Sequence, residues 1–348
     1  MGATLQVGAD AAPASPPVGS PGELSRAKRH HPIRDMVVRR AALGVLTLLL
    51  VSIVIFAATV LLPGNAARAV LKNSATPERI KAVEAQLHLD RPAVVQYWTW
   101  MTGVMRGDFG SSLANGQSVS HLVGMRIENS AVLVVLAGVL GTVISLVLGM
   151  LAAARRDGWL DNTVSISSLA ITALPEYVVA IVLVMIFATN VFHVLPAISV
   201  IPPGEPPWSE PSALVLPVAT LVIVIIPYIF RMMRGAMIEA LESDYVEMAN
   251  LKGVRRSRVL MVHALPNAIA PTIQVIGLSI LYLAGGIVVV EYVFNYPGIG
   301  QGLVNAVADR DIPMIQFIVL VLAVFYVFMN ILSDVIALWV TPRRRVPR

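Results

Sequence analysis

Long uninterrupted apolar runs dominate the arrangement of residues along this chain. The first run, residues 41–62, carries no charge, and 22 residues rising about 1.5 Å each reach across the roughly 30 Å hydrocarbon core of a bilayer. Comparable runs follow at about residues 130–154, 163–189, 213–230, 268–290 and 313–340. The core of a soluble protein is not expected to contain several charge-free helices of about 18 or more residues. The pattern predicts an all-α integral membrane protein with six transmembrane helices.

Composition agrees with this fold class. Of the 348 residues, 56% are apolar and 14% are charged, against roughly 25% charged in a soluble domain. There is no cysteine, so disulfides and thiol-bound metals do not enter the interpretation. Residues 1–35 are rich in Ala, Pro, Gly and Ser and then basic, too long and polar for the start of a cleaved signal peptide. We predict a retained, disordered cytoplasmic tail there, then a first transmembrane helix with its extracytoplasmic loop over 36–128, and a core of five transmembrane helices over 129–345. This core includes a cytoplasmic segment over 239–265.

The basic residues are distributed unevenly between the two sides of the membrane. Cytoplasmic segments carry the excess of Lys and Arg, and long loops count weakly in this rule. Eighteen of the 26 Lys and Arg residues lie in the tail, the turn at 155–156, the segment 231–263 and the C-terminus. We therefore predict a multi-pass protein of the cell inner (plasma) membrane with both termini and Gly253 in the cytoplasm, and with Gly110 and Pro203 outside.

Two loops are predicted on the outer side. The longer one, 63–127, contains a helix over about 76–87, with Thr76 as its N-cap, and a second, amphipathic helix over 94–105. The aromatic residues of the second helix suit either a membrane interface or the packing of a small subdomain; they are Tyr97, Trp98 and Trp100. The shorter loop, 193–211, is proline-rich and lacks Lys and Arg, so it is predicted to be stiff and non-helical.

The segment between the fourth and fifth predicted spans contains a helix, a glycine stop and a second helix. The first helix covers 245–252 and starts at Ser243 or Asp244. Gly253 then ends it, because only glycine adopts the left-handed conformation beyond a helix end without penalty. A second short helix is predicted over 255–263, before a proline.

This segment resembles the Glu-Ala-Ala…Gly motif of ABC importer permeases, the coupling helix that docks on the ATPase. The matching residues are Glu247-Met248-Ala249, Gly253 and Leu265-Pro266-Asn267. Other stretches resemble the dipeptide, oligopeptide and nickel branch of this family; they are Leu62-Pro63-Gly64, Leu87-His88-Leu89-Asp90-Arg91-Pro92, Arg106-Gly107-Asp108-Phe109-Gly110-Ser111-Ser112, Gly285-Gly286, Val290-Glu291-Tyr292-Val293-Phe294, Tyr296-Pro297-Gly298-Ile299-Gly300 and Arg310-Asp311. The resemblance runs from about residue 36 to residue 345.

The chain departs from the usual family pattern in three places. Met248 replaces the first Ala of Glu-Ala-Ala, Asn65 stands where Asp usually follows Pro-Gly, and a closing Asp-Pro-Arg becomes Thr341-Pro342-Arg343. These changes leave the fold unaffected. The substrate is left open among dipeptides, oligopeptides, nickel chelates, glutathione and other solutes.

The resemblance implies a type I ABC importer permease fold with a MetI-like core, forming half of the translocation pathway for a peptide or related small solute. The implied partners are a homologous second permease, two ATP-binding subunits and an extracytoplasmic solute-binding protein, besides the lipid bilayer. No cofactor is expected on this chain, because ATP would bind the partner ATPase, and no nucleic acid is expected as a partner. The residues implied in coupling to the ATPase are Asp244, Glu247, Ala249, Lys252, Gly253, Arg256 and Pro266.

Sequence signatures of catalysis are absent. A P-loop ends in Gly-Lys-Ser/Thr, and glycine precedes none of the four lysines in this chain. Neither His-Glu-x-x-His nor Gly-x-Ser-x-Gly occurs. We therefore expect a transport subunit that is not an enzyme and does not hydrolyse ATP through a P-loop of its own.

Acidic residues in the predicted spans are candidates for the translocation pathway. Glu176 lies near the middle of the third span, after Pro175, which breaks a backbone hydrogen bond. Tyr177 and Glu291 complete the candidates. The alternative is that Glu176 satisfies groups freed by the proline, or bridges spans, without touching solute. Asp334, in the last span, is expected to pair with the C-terminal arginines or with a neighbouring helix.

Three other interpretations compete with the importer. An ion-coupled secondary transporter or channel would use Glu176 as a proton or cation site, but no internal repeat supports it. A scaffold that anchors another protein would transport nothing. The 231–263 segment could also be a surface loop held by anionic lipid through Arg255, Arg256 and Arg258.

Overall fold

The structure, a computed structural model, describes residues 32–61, 76, 91–202 and 204–340. Several predictions lie outside these residues: the tail up to residue 31, the helix over 77–87, the location of Pro203 and the C-terminal arginines. Over the described part the chain is helical, with one isolated β-bridge between Ser111 and Ser118.

Ten helices form the described part of the fold. They are α1 Pro32–Leu61, α2 Ala93–Arg106, α3 Val119–Ala154, α4 Trp159–Thr172, α5 Glu176–Val184, α6 Pro211–Leu241, α7 Asp244–Leu251, α8 Leu265–Val293, α9 Ile299–Asp309 and α10 Ile312–Val340. A π-helical segment, Met185–Thr189, extends α5, and a single turn, Arg256–Arg258, followed by a π-helical segment, Val259–Ala264, leads into α8. The outer loop before α6 has only one 3₁₀ turn, Pro207–Ser209, in agreement with its predicted non-helical character.

Among the described residues, five helices are long and apolar enough to cross a membrane: Val37–Val60, Val119–Ala154, Pro211–Leu241, Arg256–Val293 and Ile312–Ile336. A sixth span exists if the bent pair Trp159–Thr172 and Glu176–Thr189 counts as one. The all-α membrane fold is therefore confirmed, with one span of unusual shape.

The third predicted span, 163–189, is bent in the structure. The helix direction changes by 109° between α4 and the helix that starts at Glu176. Pro175 lacks an N–H and disfavours helical geometry at Leu174, so the chain leaves the helix and restarts it at Glu176. Glu176 therefore lies at the first position of a new helix instead of in the middle of a straight one.

The short second helix predicted to end before Pro266 is also different in the structure. The chain runs from Arg256 to Val293 as one helical rod, with the π-helical segment Val259–Ala264 within it. A proline inside an α-helix clashes with the carbonyl four residues earlier. The wider π turns just before Pro266 relieve this clash, so the helix continues into the span.

α6 is the centre of the fold and packs against α3 and α8. Small residues on α3 allow the close approach: a Cβ added at Gly149 would lie 2.8 Å from the Met233 Cβ, and one at Gly141 would lie 2.4 Å from the Ile225 side chain. Buried Ser145 lies between these glycines on the same face. Small residues spaced by four let helices approach closely in membranes, where apolar surface alone gives no preference for protein over lipid.

A proline within α6 is compensated by the outer loop. Pro217 lacks the N–H that would bond the carbonyl of Ala213. The hydroxyl of Ser199 donates to that carbonyl at 2.6 Å, and the Ser199 N–H donates to the carbonyl of Phe294 at 2.7 Å. One loop residue thus satisfies an end of α6 and an end of α8.

α1 and α10 pack together at the periphery. Arg40 of α1 pairs with Asp334 of α10, Nε to Oδ2 at 2.9 Å, which confirms the expected pairing with a neighbouring helix. α2 covers the predicted amphipathic stretch: Tyr97 packs on Phe56 of α1 and bonds Ser52 at 2.9 Å, whereas Trp98 is 60% exposed. Tyr97 therefore packs within the subdomain, whereas a position of Trp98 at the membrane interface stays a prediction.

Two quoted motifs meet in space. Asp311 caps the start of α10 and accepts a hydrogen bond from Ser112 and one from the N–H of Leu113 at 3.1 Å. Phe109 packs on Phe317, with ring centres 4.0 Å apart. The 106–112 stretch is thereby fixed to the beginning of the last span.

Candidate functional site

The segment 243–264, here called the α7 segment, has the predicted helix and glycine stop. α7 begins after Ser243, as predicted, and Gly253 has a φ of +72°. The Gly253 N–H bonds the carbonyl of Asn250 at 2.9 Å, and the Val254 N–H bonds the carbonyl of Ala249 at 3.1 Å. These two bonds form a Schellman motif, which holds the change of chain direction in place.

The α7 segment has a buried and an exposed face. Val246, Ala249 and Val259 form a small apolar cluster, with Val254 beside it. Ala249 therefore faces its own chain, and the close approach that its small side chain permits is to the following helix. The outer face carries exposed apolar residues, with 45%, 53% and 76% of each exposed for Tyr245, Met248 and Leu251 respectively.

The predicted coupling residues lie on this segment, except Pro266, which lies in the first turn of α8. Asp244, Glu247, Lys252, Arg256 and Pro266 are all exposed, and Ala249 alone among the side chains is buried. Their role in coupling depends on contacts with a partner chain, so it stays a prediction.

Three polar contacts join the α7 segment and α6 to the turn between α3 and α4. Arg256 donates to the carbonyl of Ala154 at the end of α3. Arg156 pairs with Glu242, just before α7. Arg234 of α6 binds Asp161 of α4 with two parallel bonds, the second joining Nη2 to Oδ2 at 2.7 Å.

The pair of Arg234 and Asp161 was missed at the sequence level. Asp161 is 1% exposed, and it also accepts the N–H of Asp157 at 3.0 Å. A fork-shaped guanidinium matches a carboxylate and fixes orientation as well as distance. The sequence does contain one signal: the two residues stand at the ends of two predicted spans, and both ends are predicted on the same side of the membrane. Whether they pair depends on the angle between α4 and α6, which the sequence does not give.

Glu176 lies in an open cleft at the break between α4 and α5. The cleft has a volume of about 330 Å³ and is called here the Glu176 cleft; its polar lining is Thr172, Glu176, Tyr177, Tyr228 and Tyr282. Pro175 also lines it, so three of the four predicted pathway residues lie together. Glu176 is partly buried and interacts electrostatically with the hydroxyl of Tyr282 on α8.

The position of the Glu176 carboxylate depends on the absence of a side chain at Gly286 of α8. A Cβ added at Gly286 would lie 2.8 Å from Oε1 and 2.9 Å from Oε2 of Glu176, whereas one added at neighbouring Gly285 would meet nothing within 4 Å. The carboxylate therefore rests directly on the backbone of α8. Only a residue without a side chain allows this contact.

Glu291, the fourth predicted pathway residue, lies elsewhere. It is fully buried at the end of α8 and accepts hydrogen bonds from Ser130 of α3 and from the N–H groups of Gly300, at 2.6 Å, and Gln301, at 3.3 Å. These N–H groups belong to the first turn of α9, so the Glu291 carboxylate caps that helix. Glu291 is not among the residues that line the Glu176 cleft.

The turn that follows α8 closes around Glu291. A Cβ added at Gly298 would lie 2.1 Å from the Glu291 carboxylate. The Tyr296 hydroxyl donates to the carbonyl of Asn129 at 2.9 Å, and burial raises the pKa of its phenol, so it remains a donor. Arg126 donates to the carbonyl of Gly298 at 3.0 Å. The Glu-Tyr-Val-Phe motif thus supplies the buried carboxylate, and the Tyr-Pro-Gly-Ile-Gly motif supplies residues that enclose it.

The described part of the chain has five apolar spans, a bent helix pair beside an open polar cleft that can form a sixth, and a surface segment with an exposed apolar face. These features define a multi-span membrane protein. Residues 145–346 match the family described as the binding-protein-dependent transport system inner membrane component, and residues 33–147 match the N-terminal part of the same kind of component. The chain belongs to this family. It is an inner-membrane permease subunit of an ABC importer, a transport component and not an enzyme.

Curated relatives cover nearly the whole chain. A protein of Sinorhizobium fredii named "Probable peptide ABC transporter permease protein" is 34% identical over 89% of this chain and 98% of its own length. The glutathione transport system permease protein GsiC of Salmonella choleraesuis is 32% identical over 88% of this chain and 98% of its own length. Permeases of such systems work together with an ATPase and a substrate-binding protein.

The geometry around Glu291 predicts a structural role that stability measurements can separate from transport. Glu291→Ala would leave the Ser130 hydroxyl and two N–H groups without an acceptor, which costs about 3 kcal/mol or more in a buried site. Glu291→Gln keeps the size of the side chain and should cost about 1–2 kcal/mol. We expect both variants to lower the thermal unfolding temperature of the purified protein, with exposed Glu205→Gln as an unchanged control. Normal unfolding combined with lost uptake in Glu291→Gln would instead indicate contact with solute.

The contact between Glu176 and Gly286 predicts a difference between adjacent glycines. Gly286→Ala puts a methyl group into the position of the carboxylate and displaces it from the Glu176 cleft, whereas Gly285→Ala meets open space. We expect Gly286→Ala to reduce uptake about tenfold or more, since small displacements at a binding position can cost this much. Gly285→Ala should remain near wild type. Equal uptake by the two variants would contradict a role for the Glu176 position.

Proposed function

We propose that this chain forms half of the translocation pathway for a peptide or related small solute, beside a homologous second permease. Two ATP-binding subunits on the cytoplasmic side and an extracytoplasmic solute-binding protein would complete the importer. The names of the relatives, which refer to peptide and glutathione transport, support this class of solute. ATP would be bound by the partner subunits, with no cofactor on this chain.

The observation that carries the proposal is the exposed apolar face of the α7 segment. Its outer face presents Tyr245, Met248 and Leu251, spaced as one helix face, among the charged residues Asp244 and Glu247. A helix that presents an apolar face between spans suits the groove of another protein. Docking of an ATPase there would bury this exposed apolar surface.

The contacts that hold the α7 segment and α6 against neighbouring helices support transmission of movement from the ATPase to the pathway. Arg256 ties the segment to the end of α3, and Glu242, just before the segment, is tied to the turn between α3 and α4 by Arg156. The pair of Arg234 and Asp161 ties α6, which leads into the segment, to α4. α4 ends at the Glu176 cleft. Packed elements move as bodies between discrete arrangements, so displacement of the segment is expected to change the angle between α4 and α5.

An ion-coupled transporter has less support. It would need charged groups along the spans, and the family to which the chain belongs is that of binding-protein-dependent systems. Uptake into liposomes that is driven by an ion gradient in the absence of the ATPase would favour this alternative.

The proposed orientation places both termini and Gly253 in the cytoplasm and Gly110 outside. The distribution of Lys and Arg supports it. Because the chain has no cysteine, single cysteines at positions 253 and 110 would be the only targets of an impermeant thiol reagent. We expect intact cells to label position 110 at once and position 253 only after permeabilisation. Labelling of position 253 from outside would contradict the orientation.

Docking through the α7 segment predicts loss of the ATPase without loss of folding. Gly253→Val forces a branched side chain into a left-handed position, at a cost of about 1–2 kcal/mol or a changed helix direction. Glu247→Arg reverses a charge on the exposed face of α7. We expect both variants to accumulate in the membrane yet to lose the co-purifying ATPase, or to keep it with ATP hydrolysis no longer linked to uptake.

The matched control is Gly235→Val. Gly235 is exposed in α6, has no positive φ and would place a Cβ in open space. This variant should retain both the ATPase and uptake. Normal transport by Gly253→Val and Glu247→Arg, with the ATPase still bound, would refute docking at this surface.

A further inference from the structure

The Glu176 cleft combines one carboxylate with two aromatic rings. Tyr228 of α6 and Tyr282 of α8 have ring centres 5.8 Å apart, at an interplanar angle of 48°. Glu176 of α5 lines the same cleft as both tyrosines. Three different helices therefore bring one negative charge and two π faces to a single opening of about 330 Å³.

The carboxylate of Glu176 has no cationic partner in the described part of the chain. The ion pairs found there join Arg40 to Asp334, Arg156 to Asp157 and Glu242, and Arg234 to Asp161. Two other acids of the spans, Asp334 and Glu291, are respectively paired with Arg40 and enclosed by hydrogen-bond donors. An acid of the spans that lines an open cleft without a cationic partner indicates a position where a charge from outside the chain is bound.

The guanidinium of Arg231 contacts two residues of the cleft, Thr172 and Tyr228, but forms no ion pair with Glu176 among the described residues. Arg231 donates through Nε to the carbonyl of Pro227 at 3.1 Å and through Nη2 to the hydroxyl of Thr172 at 3.3 Å. Its Cζ lies 5.9 Å from the ring centre of Tyr228. This contact shows that a tyrosine of the cleft already interacts with a cation, and it leaves the ring of Tyr282 and the Glu176 carboxylate to a ligand.

We propose that the Glu176 cleft binds the primary ammonium group of the transported solute. A carboxylate attracts the charge, and tyrosine faces favour a partly dehydrated cation over a neutral or anionic group. A solute with a free amino group, such as a peptide with an unblocked N-terminus, would be held at this point, and its N-acylated form would not. The inference rests on the proposed function, because it names the part of the solute that the pathway recognises.

Gly286 and the break at Pro175 explain why the site can exist here. The break places Glu176 at a helix start beside open volume, and Gly286 lets its carboxylate rest against α8, within reach of Tyr282. Since α4 and α5 meet at this point, a change of their angle would alter the distance between Glu176 and the two tyrosines. Binding and release of the ammonium group would then follow the conformation of the broken span.

The test uses a single cysteine in the cleft of the full-length permease, purified with the second permease subunit in lipid nanodiscs. Tyr177 lines the cleft and is 49% exposed, so Tyr177→Cys provides one thiol in a chain that has no other. The rate of reaction with 2-aminoethyl methanethiosulfonate, which carries an ammonium group, is compared with that of the neutral 2-hydroxyethyl reagent. Both rates are normalised to those of a free thiol. If Tyr177→Cys does not accumulate, Leu174→Cys in the same cleft replaces it.

We expect the ammonium reagent to react about three- to tenfold faster than the neutral one, as a nearby unit charge implies. Glu176→Gln should bring the ratio close to one, whereas exposed Glu128→Gln should leave it unchanged. Trialanine, which has a free amino group, should slow the reaction several-fold in the Glu176 protein, and N-acetyl-trialanine should not. Tyr282→Phe should retain this protection and Tyr282→Leu should lose it.

Equal protection by trialanine and its N-acetyl form, or a rate ratio that Glu176→Gln does not change, would overturn the proposal. The measurement needs neither ATP nor a docked ATPase. A failure of ATPase docking would therefore leave it unaffected, and a failure of ammonium binding would leave the co-purification of the ATPase intact, so the two outcomes can be distinguished.

Discussion

Polar groups inside apolar spans must find partners within the protein, and this constraint determines where most of the polar side chains of the chain lie. The carbonyl left free by Pro217 accepts the hydroxyl of Ser199. The carboxylate of Glu291 accepts the donors at the start of α9. Each pairing links elements that are distant in the sequence, so the groups that would be most costly in lipid become the connections between helices. Glu176 differs from these groups because it lines an open cleft and has no cationic partner among the described residues, and for that reason it carries the functional argument.

The same constraint connects the surface of the molecule to its interior. Asp161 is buried and would be costly alone, but the fork of Arg234 neutralises it and fixes α4 against α6. Arg256 adds a bond from the α7 segment to the end of α3. An ATPase bound to the α7 segment would therefore act on an element that is hydrogen-bonded to the neighbouring helices. The break at Pro175 is where such a displacement can be absorbed, because no continuous helical hydrogen-bonding ladder crosses it.

Local signals in the sequence predicted local structure well. Ser243 and Gly253 mark the start and stop of α7, since capping and left-handed geometry are properties of single residues and their immediate neighbours. The effects of the prolines were predicted less well. Pro175 separates two helices at 109°, whereas Pro266 follows a π-helical segment and leaves its helix continuous. Whether a proline breaks a helix depends on what packs around the freed carbonyls, and the chain around the proline does not contain that information.

The sequence by itself determined the membrane class, the positions of the spans and the helix, glycine and helix order of the α7 segment, because apolar length, caps and turn residues act over a few positions. Only the tertiary structure decided which polar residues meet. Glu176 and Glu291 looked alike as acids of the spans, yet one lies in an open cleft and the other caps α9. Their environments are made by α3, α6 and α8, whose packing depends on residues far away in the chain. A carboxylate becomes a cap or a binding group according to the donors around it, and those donors are assembled only by folding.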